Sequence, residues 1–187
     1  MPITLTSDPI VSEAVVQEML GIAGDEARLL INSASVKFKN YTGRLRIING
    51  AVTEYQRGSG SSKFWLHATP ITALTSVQIM SDGAVSETVT SYDYDAATGR
   101  FALHNRSIPL SEDENTLKVV YTAGWAAVSV PGDIMEGALE LMRVEQDRRK
   151  GRAGVKSESM GGHSVTFQTG DLPESVAQAW DPYRFMI

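Results

Sequence analysis

The sequence predicts an α+β protein: a small bundle of three main helices, an antiparallel β insertion and an extended C-terminal arm. Three observations predict it. Apolar residues recur at three- and four-residue spacing over residues 8–22, 25–41 and 131–150, the period of a helix with one buried face. From residue 44 to 122 the period shortens to two, and β-branched and aromatic residues are divided by turn clusters. After Gly151 the chain becomes rich in Gly and Ser and is interrupted by Pro173 and Pro182, so residues 1–150 read as a core and 151–187 as an arm.

The first helix is expected to begin at Ser7-Asp8-Pro9. A Ser or Asp side chain can accept from the first-turn amides, and proline has no amide proton to leave unpaired there. Val11, Val15, Met19 and Ile22 supply its stripe, and Gly21 and Gly24 end it. Asp25 is the cap candidate of the second helix, Leu30, Ala34, Phe38 and Tyr41 its apolar face, and Gly43 its left-handed stop. In the β insertion, Gly58-Ser59-Gly60, Ser81-Asp82-Gly83 and Ala97-Thr98-Gly99 mark turns. The clearest hairpin is SYDYD, turn, GRFALH, with Tyr92 and Tyr94 on one face and Phe101 and Leu103 on one face of the return strand. Thr116 to Tyr121 is the final strand. Gly124 then permits a bend at Trp125, and Pro131 with Asp133 opens the third helix, which makes Thr122 to Ile134 a strand-to-helix corner. Ile134, Ala138, Leu141, Met142 and Glu145 follow one face of that helix. Three amphipathic helices and a thin β layer would make a small core.

The composition, 42% apolar and 21% charged, is that of a folding chain, and 187 residues fit one domain. No apolar run is long enough to span a bilayer, and MPITLTSDPIV lacks the pattern of a signal peptide, so the chain reads as soluble, not exported and without a membrane partner. Zero cysteines excludes disulfides, thiolate metal sites and thiol catalysis and fits a bacterial cytoplasm. A net charge of −5 gives no global attraction for nucleic acid.

No catalytic, cofactor or metal site emerges. His67, His104 and His163 are scattered, without the spacing of a zinc or iron site. Asp82, Asp93 and Asp95 do not match a calcium loop and read as solvated hairpin charges. Gly58 to Lys63 has the glycines of a phosphate-binding loop, but the strand-like FWLHA follows in place of a helix, so a flexible hairpin tip is expected. No nucleophile elbow or acid-base pair is spaced for hydrolysis, and no enzyme is expected. The one concentrated charge feature is basic: Arg143, Arg148, Arg149, Lys150, Arg152 and Lys156. It completes a helix C-terminus, or faces an acidic partner or passing DNA. A second reading of the insertion is a β-rich binding or enzyme-accessory domain that recognises carbohydrate through Trp65, Tyr92 and Tyr94.

The arm carries Val165, Phe167, Leu172, Trp180, Tyr183 and Phe185, too many large apolar groups for a solvated linker. It is expected to order on another molecule and not on its own body, with Ser164 to Gln168 pairing in extended form, a short helix from Pro173 to Trp180, and Trp180 and Tyr183 as anchors. Deleting Gly161 to Ile187 should then leave a folded core.

Four stretches in order, DEARLLINSASVKFKNYTGR, FWLHATPITALTSVQI, LKVVYTAGW with VPGDIMEGALELM, and GGHSVTF with LPESVAQAWDPYR, resemble the head-tail connector, or adaptor, proteins of tailed double-stranded DNA phages. The Gly124-Trp125 to Pro131 corner and the terminal Pro182-Tyr183-Arg184 carry much of the likeness. The resemblance implies a non-enzymatic ring, usually of twelve copies, assembled in the host cytoplasm and placed in the virion neck. It implies docking on the portal protein, a platform for the stopper or tail-completion protein, and genomic DNA passing through the channel without sequence-specific binding. Arg184 joins the arm's candidate partner-binding residues on this ground.

Overall fold

The computed structural model describes residues 2–108, 110, 115–149, 157–160, 163–166 and 172–185. The architecture is α+β, as the periodicities require, but the chain gathers into two compact units: Met1–Gly43 with Val130–Ile187, and Arg44–Ser129.

The first unit is helical. α1 spans Glu13–Leu20 and α2 spans Gly24–Thr42. α1 starts five residues later than Ser7-Asp8 predicts. Asp8 is buried beside Lys39 Nζ at 3.3 Å, and Ser12 takes the cap, its Oγ accepting from Val15 N at 3.3 Å. The apolar stripe shifts accordingly: Ile10, Val11, Val16 and Ile22 are buried, whereas Met19 is exposed. In α2 the expected face holds, with Leu30, Ala34 and Phe38 buried and Gly43 closing the helix at φ 72°. Asp25 lies in the first turn of α2 and is not its cap; it accepts from Ile3 N at 3.0 Å. α3, Gly132–Asp147, follows Pro131 and buries Ile134, Ala138, Leu141 and Met142. Glu145 stands at the α2–α3 seam, accepting from Lys37 Nζ at 2.5 Å and Ser33 Oγ at 3.3 Å.

The second unit is built on β-sheets, with a 3-10 turn at Ala127–Ser129. A four-stranded antiparallel sheet has the order β1-β7-β3-β4, with β1 Gly50–Gln56, β7 Leu117–Ala123, β3 Ile71–Ser81 and β4 Ala84–Val89. A three-stranded sheet has the order β2-β6-β5, with β2 Lys63–Trp65, β6 Arg100–Leu103 and β5 Tyr92–Tyr94. The insertion is therefore more than a thin layer. Val77, Leu117, Val119 and Tyr121 from the larger sheet meet Phe64, Phe101 and Leu103 from the smaller in one buried cluster. Alternation creates it: β7 buries every second residue, so one face of LKVVYTA is apolar and enclosed.

Turn chemistry sets the hairpins. Asp82-Gly83 joins β3 to β4 with φ 52° and 76°, the two left-handed residues of a tight twisted turn. Tyr92 pairs with Leu103 and Tyr94 with Phe101, the faces SYDYD and GRFALH predict. Asp95 closes that turn by accepting from Ala97 N and Thr98 N, and these bonds, the Ala97 amide first, hold its carboxyl below the ordinary carboxylate range. The Gly58–Lys63 segment is not a hairpin tip. β1 pairs with β7 and β2 with β6, so the segment crosses between sheets, with Gly60 N donating to Ile108 O and Ile108 N to Ser61 O.

Candidate assembly surfaces

At the corner after β7, Gly124 N donates to Pro70 O, Trp125 N to Ile47 O and Asn49 N to Trp125 O, so Trp125 is stitched between residues 47 and 49 just before β1. The Arg44 guanidinium lies 5.0 Å from the Trp125 ring centre and donates to Thr69. Gly124 has φ 107°, and a Cβ there would approach Ile48 C and O at 2.7 Å. Gly124→Ala is expected to cost at least about 1–3 kcal/mol from backbone strain alone. A thermal melt followed by circular dichroism checks it, and an unchanged midpoint would contradict the stitch.

The C-terminal segment departs furthest from expectation. α4, Glu174–Trp180, lies antiparallel to α3: Ser175 Oγ donates to Glu140, Trp180 Nε1 to Ile134 O at 3.2 Å, and Tyr183 Oη to Asp133 at 2.8 Å. Trp180 is 0% exposed, edge-on to Phe38 at 5.2 Å. Gly137 makes the notch, because a Cβ there would stand 2.6 Å from Trp180 Nε1. Tyr41 Oη donates to Asp181, which with burial raises the Tyr41 pKa. Arg184 lies 3.7 Å from the same carboxylate and 5.5 Å from the Tyr41 ring centre. Phe185 N donates to Thr42 O at 2.7 Å. Trp180 and Tyr183 thus anchor this segment to its own helices, correcting the expectation that they wait for a neighbour. The physical reason is that α2 and α3 leave an apolar notch that an indole fills. Leu172 is half-buried.

Strands β8, Ser157–Met160, and β9, His163–Thr166, pair with each other, Ser159 opposite Ser164 and Val165 opposite Glu158. The extended pairing expected from Ser164 is therefore made within the chain. Phe167 and Gln168 lie outside the described residues, as do Lys150, Arg152 and Lys156 of the basic cluster. Arg143 and Arg149 are exposed and Arg148 half-buried.

The carbohydrate platform is not assembled. Tyr92 and Tyr94 lie on the face of Phe101, their ring centres 5.1 and 6.3 Å from it, Tyr92 half-buried and Tyr94 exposed, while Trp65, 50% exposed, pairs opposite Arg100 on the other face. His104 Nε2 lies 2.7 Å from exposed Asp93. His67 Nδ1 lies 2.5 Å from Glu54, a buried carboxylate the sequence reading missed. Glu54 Oε2 accepts from Tyr121 Oη at 2.7 Å and His67 N at 3.0 Å. Its only sequence signal was a charge at a core-facing position of β1. Among the described residues no three His, Cys, Asp or Glu side chains gather as a metal site, and no helix is long and apolar enough to cross a membrane.

The geometry offers packing faces, ion pairs and strand edges. Full-length likeness to solved structures defines the class of fold. The chain matches one in the neck of a native gene transfer agent (GTA) particle computed with C12 symmetry, at TM-score 0.65 and 14% identity over 100% of this chain and 96% of the other. A chain from the neck of an empty GTA particle computed with C6 symmetry gives 0.65 at 16%, again over 100% and 96%. One from the virion of the native particle gives 0.61 at 15% with the same coverage. Among curated proteins none matches. The family model described as head completion protein matches residues 9–186, so the chain belongs to the head completion protein family, a structural head-tail connector family.

Proposed function

We propose that copies of this chain form a ring in the neck of a tailed-phage-type particle, dock on the portal protein and present a platform to the stopper or tail-completion protein. The family match over residues 9–186 carries this reading. The C12 symmetry of a neck that holds a chain of the same fold supports twelve copies. Assembly takes place in the bacterial host cytoplasm, the genome passes through the ring without base-specific contact, and no chemical step is required of the chain. Each heterologous contact in such a ring joins two different faces of one subunit.

The arm keeps a part in this proposal with a changed boundary. Residues 172–185 hold to α2 and α3, so the stretch offered to the portal is the intervening one, including β8 and β9 and, by sequence, Val165 and Phe167. An isolated two-stranded hairpin is marginal in water, and a third strand from a partner would complete it.

The test is complementation of particles made without this protein. Wild type should restore tail attachment to filled heads, and a variant lacking residues 157–166 should fold but attach poorly, read as the fraction of tailed particles by electron microscopy. Full attachment by the deletion variant would remove the hairpin from the interface, and tailed particles formed without the protein would end the connector reading.

A further inference from the structure

Arg46 stands out among the cations. It is half-buried, and its Nε is sealed from solvent without a hydrogen-bond partner among the described residues. The other half-buried arginines among the described residues have a charged or polar group beside them: Arg28 faces Glu13, Arg44 faces Thr69, Arg148 is also engaged, and Arg106 Nη1, sealed like Arg46 Nε and making no hydrogen bond, still lies 2.7 Å from the Glu87 carboxylate as an ion pair. Arg143 and Arg149 are exposed.

Two neighbours in sequence shape the place. Gly50 at the start of β1 leaves the slot in which the Arg46 guanidinium lies, since a Cβ at position 50 would overlap it. Leu45 is 50% exposed, an apolar group beside the cation. A donor nitrogen sealed without an acceptor costs free energy, and the cost is relieved when an oxyanion arrives and the long side chain turns to meet it. An arginine beside exposed leucine is the composition of a protein contact, where arginine is enriched and charge is otherwise sparse.

We infer that Arg46, seated against Gly50 and flanked by Leu45, is a receptor for an Asp or Glu side chain of a second copy of this chain. The chain carries 22 acidic against 17 basic residues, so neighbouring copies bring carboxylates in excess. Phosphate is the weaker fit. Binding to a nucleic-acid backbone draws on several cations at once, and adjacent Arg44 is committed to Thr69 and the Trp125 ring. The inference rests on the ring reading above and deepens it by naming one contact.

The test compares full-length wild type, Arg46→Gln and Arg46→Lys. Native mass spectrometry over rising concentration measures assembly, and circular dichroism measures the melting midpoint. Arg46→Gln is expected to weaken assembly at least about tenfold, about 1.4 kcal/mol, with a midpoint equal to or above wild type when both are melted at a concentration where they are monomeric. Arg46→Lys, treated with a carbodiimide in a mixture of isotopically light and heavy chains, is expected to give a cross-link from Lys at this position to an Asp or Glu of the other isotope. Unchanged assembly of Arg46→Gln overturns the inference, as does a lowered midpoint, which would mean the guanidinium serves its own fold. Loss of affinity for a duplex oligonucleotide with assembly intact overturns it in favour of phosphate. Wild type that stays a monomer at every concentration removes the ring reading and this contact with it, whereas assembled wild type and equally assembled Arg46→Gln removes the contact alone.

Discussion

Trp180→Ala is expected to destabilise the helical unit by about 3–5 kcal/mol, the range for emptying a large aromatic site in a packed core. The indole is fully enclosed, stands edge-on to Phe38 at 5.2 Å and donates to Ile134 O. Alanine would remove the ring, its edge-to-face contact and that hydrogen bond together. Since a domain's whole stability is only about 5–15 kcal/mol, the loss is a large share of it. Hydrogen exchange read residue by residue is the decisive measurement. Amides of α2 and α3 should exchange faster in the variant, while those of β3 and β7, in the other compact unit, should keep their protection. Trp180→Phe retains a ring without the N–H and should cost less. A Trp180→Ala protein whose helical amides exchange as in wild type would show that the C-terminal segment is a passenger. The same packing changes what truncation means: removing residues 161–187 takes Trp180 out of the core, so that deletion tests stability before it tests attachment.

The contrast between Trp180 and Tyr92 shows what a sequence makes legible. The hairpin at 92–103 could be read because its information is local: alternation fixes the faces, and Ala97-Thr98-Gly99 fixes the turn. α2 was legible for the same reason, its period and its Gly43 stop lying within one stretch. Trp180 is legible as a large apolar group in need of a site, yet that site is a notch made by Gly137 and Phe38, 43 and 142 positions away by subtraction, and spacing does not encode that meeting. A glycine within α3 was the available signal, since Gly in a helix interior is costly unless something packs against it. Ser12 displaced Ser7-Asp8 as cap because Asp8 has a distant partner in Lys39, again a tertiary fact. Glu54 was missed for a related reason. Its alternation placed it inward, but only Tyr121 and His67, brought over by β7 and the segment after β2, make that placement tolerable.

That cluster carries the other large prediction. Glu54 is 7% exposed and accepts from the Tyr121 hydroxyl, both the Nδ1 and the amide of His67, and Gln56 Nε2, while Tyr121 Oη accepts from Ala68 N. Glu54→Ala strands several donors at once and is expected to destabilise the β unit by about 1–3 kcal/mol for each buried donor left without its acceptor, the Tyr121 hydroxyl first. Tyr121→Phe, which keeps the ring, is expected to cost about 1–3 kcal/mol. Burial first, then the Glu54 charge and the hydrogen bond to it, raises the Tyr121 pKa well above its ordinary value, with only the Ala68 amide opposing. The sign follows from where the proton is held more tightly. The folded protein keeps the phenol proton to higher pH than the unfolded chain, so this contribution is fully present below about pH 10 and is lost as pH rises beyond it. The slope for one such group is about 1.4 kcal/mol per pH unit. Urea unfolding of wild type and Tyr121→Phe at intervals from about pH 8 to 11 should therefore show the gap between them narrowing above about pH 10. Parallel curves across that range would mean that the hydroxyl is not held between Glu54 and Ala68, and the cluster would lose its part in joining β1, β7 and the segment after β2.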